Sequence, residues 1–493
     1  MKATFKYIVT AFAVCAALVS CQKDNLAGNT DDNPAVGNAR VIEVHFGTAT
    51  KSALAVEAGL TPSFVNGDKI MASNGTSKEE CSISVDNKGD AWFTTSLTGD
   101  LTAIYPSAAA KLNGNIIDGI IVPATQDGTF AKANIAKATI ASDATSATFI
   151  NQTSLLRFYV DVSIGVKSIT ITAGGNANIA DGSKTIVVDP EGDVTLDTVT
   201  DDPGGRICYV SVLPGTFTSL KFTSVTTTQK DYTNNTVERT ASNVTLAINK
   251  IYNAFIPYYI DLGTAGKWGY CNIGAFLPED AGKFFAWGET KGHIPATNGQ
   301  GAFAFGVNNG GFAADFSNCP YYVGDDKFNK YMLTGYNDNW GGTGAPDNLK
   351  VLEAVDDAAK AIWGNVWRMP KITEFQTLIE SYPPNLQDFD SGFSFGISPY
   401  SVFLPAAGNG WETELQDLNT WGIYWSSSLN TENDPDPNVL DGPGNGNTLE
   451  FNSSTVPELS YEARYLGCSI RPVKIVTANN PDYTETDPEE TVL

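Results

Sequence analysis

One cysteine in this sequence is placed for chemistry rather than packing. Cys21 ends an apolar run from Tyr7 to Val19 that follows Lys2 and Lys6. A basic start, a short hydrophobic stretch and a small-residue boundary read as a secretion signal over residues 1–20, too short to cross a bilayer as a permanent helix. Cys21 is the first residue beyond that signal. Cys81, Cys208, Cys271, Cys319 and Cys468 lie far apart without C-x-x-C spacing, which excludes a zinc knuckle or a dithiol redox motif. Their number is odd, so at least one stays unpaired within the chain, while a disulfide is permitted outside the cytoplasm.

Three tryptophans suit ligand recognition. Trp340 follows Asn337, Asp338 and Asn339 and precedes Gly341-Gly342. A stacking ring beside amide and carboxylate groups fits the apolar face and hydroxyls of a sugar. Trp411 and Trp421 also stand in polar or glycine-rich surroundings, where an indole offers a flat face to a sugar or a partner protein. Partial burial under a neighbouring loop is the competing explanation for each.

Other chemistry is weakly represented. Asn337 to Asn339 and Glu432 to Asp436 carry oxygen ligands of the kind calcium takes, without EF-hand spacing. No cofactor is expected, and a structural calcium ion is the one cation these loops could hold. His45 and His293 have no partner histidine, so zinc or histidine-based catalysis is not expected. Ser426-Ser427-Ser428 lacks the G-x-S-x-G elbow and a base beside it. Asp356 and Asp357 are adjacent, cannot flank one glycosidic bond, and read instead as a helix cap. The chain is therefore expected not to be an enzyme.

The elements that must position these residues are mainly β. From Arg40 to about Tyr258 the chain is dense in Thr, Val, Ile and Ser. Val41 to Phe46, Ser168 to Thr172 and Asn243 to Ile248 alternate in polarity, the period of half-buried strands. Near Ile260 the character changes. Trp92 stands alone before that point, while Trp268, Trp287, Trp340, Trp363, Trp367, Trp411, Trp421 and Trp425 follow it. Two helices are expected there. One opens at Asp356-Asp357 and runs to Trp363. The other runs from Pro370 to Ile379 with Ile372, Phe375, Leu378 and Ile379 on one face. Trp268, Trp287, Trp363, Trp367 and Trp425 should fill the core of a loop-rich fold, and Arg368 and Arg471 should tie its loops together.

The formal charge of −24 becomes two units more negative once Lys2 and Lys6 leave with the signal. An acidic surface excludes nucleic acid as a partner, because phosphate binding needs clustered Lys and Arg, and it keeps an exported protein soluble. The divisions expected are a signal at 1–20, a polar tether at 21–39 and a β-sandwich region at 40–257, split near 150–165. An α+β domain at 258–475 and a disordered acidic tail at 476–493 complete the chain.

Three resemblances sharpen this reading. Leu18-Val19-Ser20-Cys21 resembles the bacterial lipobox, which implies a diacylglycerol on Cys21 and an outer-membrane contact through lipid. The first half resembles the fimbrillin-like (Mfa-like) domain of Bacteroidetes surface proteins. The matching pieces are Val41 to Ser52, Phe64 to Ile70, Tyr105-Pro106, Phe149 to Phe158 and Leu246 to Tyr252. That resemblance implies two β-sandwich subdomains in series. It also implies removal of the first strand by a cut after a loop Lys or Arg, here Lys51, so that a neighbouring subunit's strand can take its place. The second half resembles the major paralogous domain first named from Fibrobacter, a C-type-lectin-like fold. The match runs through Tyr259 to Gly263, Cys271 to Ala275, Gly282 to Thr290, Trp367 to Pro370, Phe403 to Gly408, Gly422 to Ser428 and Gly467 to Val473. Lys371 stands where that family usually places a Thr or Ser cap. Asp197-Thr198-Val199 fits the short O-glycosylation pattern of Bacteroidetes, with Thr198 as the acceptor.

These expectations converge on a cell-surface lipoprotein of the outer membrane, a minor or tip fimbrial subunit presenting a lectin-like domain for adhesion. Its partners would be other fimbrial subunits by strand exchange and an extracellular glycan or a host or bacterial surface protein. The alternative is a free-standing glycan-binding lipoprotein for nutrient capture, with a carbohydrate-active enzyme ranked well below.

Overall fold

The structure, a computed structural model, describes residues 39–47, 62–161, 164–189, 197–199, 202–227, 234–294, 305, 307–308, 314–315, 319–324, 327–334, 345–397, 400–431 and 444–475. The chain is mainly β, as its alternating polarity requires.

The first half contains strands β1 (Arg40–Phe46), β2 (Lys69–Ser73), β3 (Lys78–Val85), β4 (Ala91–Thr95), β5 (Leu101–Tyr105), β6 (Ala110–Asn113), β7 (Ile116–Ile120) and β8 (Thr125–Gln126). After the short helix α1 (Phe130–Ala133) come β9 (Ala136–Ile140) and β10 (Ser146–Asn151). The first β unit closes on itself as a barrel in the order β1-β10-β9-β5-β2-β3-β4. Alternation dictates a one-sided apolar strand but not whether the sheet bends round to meet its own edge. Here β1 makes that join. It runs antiparallel to β4, with Ile42 opposite Phe93, and parallel to β10, with Val44 opposite Ala147. Ile42 and Val44 point inward and are buried, while Glu43 points outward. Phe46 stacks on Phe64 at 4.0 Å and Phe64 meets Phe149 edge-on, closing the barrel floor. The Arg40 guanidinium donates to the carbonyls of Gly99 and Ala141, each at 2.8 Å.

The second β unit is two facing sheets. It uses β11 (Ser154–Asp161), β12 (Val166–Ala173), β13 (Thr185–Val188), β14 (Asp197–Val199), β15 (Asp202–Val212), β16 (Gly215–Thr227), β17 (Asn234–Leu246) and β18 (Lys250–Asn253). The sheets run β14-β15-β11-β18 and β17-β16-β12-β13-β8. Leu155, Leu156, Phe158, Tyr159 and Val160 on β11 are all buried, without alternation. A strand reads this way when both its faces are covered. One face closes the sandwich, and the other meets the second half of the chain. Tyr159 stacks on Tyr270 at 5.3 Å, and the Arg157 guanidinium lies 4.8 Å from the Phe276 ring centre. Phe255 bridges Tyr270 and Trp363, and Tyr258 donates to the Ser224 hydroxyl at 2.9 Å. One apolar cluster therefore runs from β11 through Tyr258 and Trp268 to Val473, while the barrel keeps a core of its own.

In the second half, β19 (Tyr259–Asp261) and β20 (Lys267–Gly269) share a sheet with the short strands Val473–Lys474 and Trp367–Arg368. A three-stranded sheet, Trp421–Leu429, Asn445–Asn452 and Thr455–Ala463, packs against the helix α3 (Ile372–Ser381). Trp268, Trp287, Trp363, Trp367 and Trp425 are all buried. Trp287 occupies the space beside Gly446, where an added Cβ would lie 2.5 Å from the indole. Buried Arg471 donates to the carbonyls of Gly269, Tyr270 and Phe403 and to the Asn272 side chain, pinning residues 269–272 to the strand that carries Phe403.

The helix starts differ in detail from expectation. Asp357 caps the helix α2 (Ala358–Trp363) by accepting the Lys360 N–H at 3.0 Å. Asp356 is not part of that cap. α3 begins at Ile372, with Lys371 as its N-cap and Pro370 outside the helix. A lysine side chain has no acceptor, so Glu374 serves this end instead, accepting the Lys371 N–H at 2.8 Å and the Arg368 guanidinium through both oxygens.

Candidate functional site

Of the residues singled out for function, Cys21, Lys51, Asn337, Asp338 and Trp340 lie outside the described residues. Thr198 lies in β14, where its backbone pairs with Arg206. Trp411 sits on the strand Asn409–Trp411, half-buried, with its ring against Tyr465 at 5.5 Å. Trp421 opens the strand Trp421–Leu429, opposite Asn452, and is 36% exposed. The hydroxyls of Ser426 and Ser427 are spent on the carbonyls of Asn447 and Pro370, and that of Ser428 accepts the Ile372 N–H. This serine run is structural cement. All five described cysteines are free and buried, and burial pushes the thiols of Cys81, Cys208, Cys271 and Cys319 up to about 12, where thiolate chemistry is suppressed.

One dense polar constellation among the described residues is not announced by any sequence spacing. It centres on the carboxylate of Asp356, which is 4% exposed. Asp356 accepts the hydroxyls of Tyr321 and Tyr331 and the Lys330 ammonium, the last at 2.6 Å. Lys330 also meets Glu353 Oε2 at 2.5 Å, and its Nζ lies 5.2 and 5.1 Å from the ring centres of Tyr321 and Tyr331. Burial, then the Asp356 bond, raise Tyr321 to about 12, so both tyrosines are donors at neutral pH.

The backbone around this cluster is unusually constrained. Tyr321 and Tyr331 adopt φ of +67° and +60°, a region that is costly for bulky side chains. Asp347 compensates by accepting the N–H groups of Tyr331, Met332 and Leu349. Buried Arg464 donates to the carbonyls of Lys330 and Tyr331 while its guanidinium lies between Trp287 and Phe328, at 4.9 and 4.4 Å. Burial pulls this arginine down to about 10. Thr334, at the edge of the 335–344 segment, is held by the Asn348 side chain.

Two smaller carboxylate sites lie elsewhere in the second half. Glu289 binds His293 and accepts the Ala286 N–H. On the outer strand of the three-stranded sheet, burial and then the charge of Glu450 push Glu462 up to about 7. Glu450 itself is buried, raised by burial, and bonded by the Thr448 hydroxyl at 2.6 Å. No group of three or more His, Cys, Asp or Glu side chains among the described residues is arranged to hold a metal ion.

No known protein family matches the chain, and no curated protein does. Three solved structures show partial likeness. A candidate cell adhesion protein of Bacteroides fragilis is 7% identical, covering 43% of this chain and 91% of its own, at a TM-score of 0.28. The fimbrial anchor protein Mfa2 of Porphyromonas gingivalis is 10% identical, covering 40% of this chain and 80% of its own, at 0.20. The tip fimbrial protein Mfa3 of Porphyromonas gingivalis, with a C-terminal truncation, is 8% identical, covering 44% of this chain and 93% of its own, at 0.21. At such scores these likenesses establish neither a shared fold nor a function.

Proposed function

We propose that this chain is an adhesive subunit of a surface fibre, tethered through a lipid on Cys21. In this reading its first β unit accepts a strand from a neighbour and its second half meets the ligand. The observation that carries the reading is the position of β1. A single strand lies between β4 and β10 and completes the barrel. A cut at Lys51 followed by loss of β1 would expose two strand edges and the hollow left by Ile42 and Val44, a groove one strand wide. An incoming strand supplies main-chain hydrogen bonds to both edges and side chains to that hollow.

The far end of the β region supports a role at a fibre end. β18 leads directly into buried Ala254, Ile256 and Tyr258, so this last strand is fastened into the next core and is not available to a neighbour. The ligand class favoured is a glycan, or a protein surface rich in hydroxyl and amide groups, met by Trp421 and by the 335–344 segment with Asn337, Asp338 and Trp340. Trp411 serves as a half-buried neighbour.

The test is the N-terminus of the cell-surface form, read by mass spectrometry, together with copurification with fibres. Mature chains beginning at Ser52 in fibre fractions support assembly. Chains that begin only at Cys21 and never copurify with fibres sink it and leave the free-standing glycan-binding lipoprotein. Glycan arrays should use the full chain, because a fragment starting at 258 would strip Tyr270 and Trp363 of Tyr159 and Phe255.

A further inference from the structure

The Asp356 cluster has the components of an amide-forming site. The Lys330 amine nitrogen lies 2.6 Å from Asp356 Oδ2 and 2.5 Å from Glu353 Oε2. The backbone that carries Lys330 and the two tyrosines is held by contacts that do not depend on the pair. Arg464 grips the Lys330 and Tyr331 carbonyls, and Asn329 N–H is bonded to the Tyr321 carbonyl. Asp356 closes a short 3-10 turn, Ala354–Asp356, whose next residue is the α2 cap. Two tyrosine rings wall the pair, and the Asp356 side chain is 5% exposed.

We propose that Lys330 and Asp356 become joined by an intramolecular amide bond, with Glu353 carrying the protons. Within the pair, a proton passes from the Lys330 ammonium to the Asp356 carboxylate, giving amine and carboxylic acid. Nζ attacks Cγ, and the Tyr321 and Tyr331 hydroxyls stabilise the charge that builds on the carboxyl oxygens. Glu353 takes a proton from the new C–N centre and returns it to the departing hydroxyl. The Nζ–Cγ bond forms, one Cγ–O bond breaks, and one water leaves. No oxidant, reductant or external donor is consumed, and Glu353 ends as it began.

Position favours this bond. Fixed reactants at bonding reach convert a slow bimolecular condensation into a local step. Burial penalises the charge of Asp356, whose side chain is 5% exposed. Burial works to lower the Lys330 ammonium, but the bonds to Asp356 and Glu353 outweigh it and raise it. Asp356 is the acyl partner rather than Glu353, because the tyrosines polarise Asp356 alone and the Glu353 side chain is 50% exposed.

Trypsin mapping of the full chain tests this. Cleavage after Lys327, Lys350 and Lys360 should release segments 328–350 and 351–360 as one joined species, lighter than their sum by one water and uncut after Lys330. Fragmentation should place the link between Lys330 and Asp356. Cutting after Lys330, with 351–360 at its unmodified mass, overturns the proposal, as does a link to Glu353. Glu353→Gln, a change at a half-exposed side chain, should give an unjoined chain with an unchanged circular dichroism spectrum. A joined Glu353→Gln chain overturns the proton-carrying role.

Discussion

The rings of Tyr159 and Tyr270 lie 5.3 Å apart with their planes 3° from parallel, one on the central strand of the sandwich and the other just inside the second half. That contact sits in the middle of an apolar cluster shared by the two regions. Tyr159→Ala removes a buried ring from both at once and should cost about 3 kcal/mol. Because the cluster is shared, calorimetry should show the sandwich and the second half melting in a single transition that moves as a unit. Two transitions, only one of them shifted, would sink the shared-core account.

Asp357 and Asp356 are neighbours with separate duties. Asp357 accepts the N–H groups of Lys360 and Met369, and its loss strands one half-buried and one buried donor. Asp357→Ala should lower stability by about 2–3 kcal/mol, read as a shifted urea midpoint with an unchanged slope. Asp357→Asn keeps an acceptor oxygen and should recover at least half of the loss.

Glu462 makes stability depend on pH near neutrality. Its carboxyl, ordinarily at 4.5, titrates at about 7 in the folded chain, so the folded state holds this proton more tightly than the unfolded state does. The stabilisation is fully present below about pH 4.5 and is lost as pH rises through about 7. Discounted for partial exposure, it is on the order of 2 kcal/mol. Melting temperatures of wild type and Glu462→Gln should converge at pH 4.5, with the variant more stable at pH 8. Parallel curves would remove the coupling to Glu450.

Gly446 leaves no room for a side chain beside Trp287. Gly446→Ala should cost about 2 kcal/mol or more by overpacking, with a changed tryptophan emission. Wild-type stability and emission together would show that the indole can move aside.

Particular residues show how far the fold was legible. The half-buried period of Val41 to Phe46 and of Ser168 to Thr172 announces β1 and β12, because alternation is a local property. Closure of the barrel is not local. It depends on β1 finding β10, and the Arg40 bond to the Ala141 carbonyl spans 101 positions. The large buried rings Trp268, Trp287 and Trp425 were legible from their glycine-rich, small-residue neighbourhoods. The Asp356 cluster was not, since Tyr321, Lys330 and Asp356 share no spacing and meet only in the folded chain. Two adjacent aspartates carried one faint signal, as a helix start needs only one of them. Glu289 and His293, four residues apart, carried another that a search for paired histidines passes over.

The parallel pairing of β1 with β10 has a consequence for the order of events in the chain's life. The strand synthesised first can be seated on both sides only after the tenth has emerged, so the barrel's last seam is stitched by its oldest segment. Non-local closures of this kind are slow. Until it happens, β4 and β10 stay open to any strand of suitable pattern. Self-closure and capture of a foreign strand are thus competing outcomes of one delay.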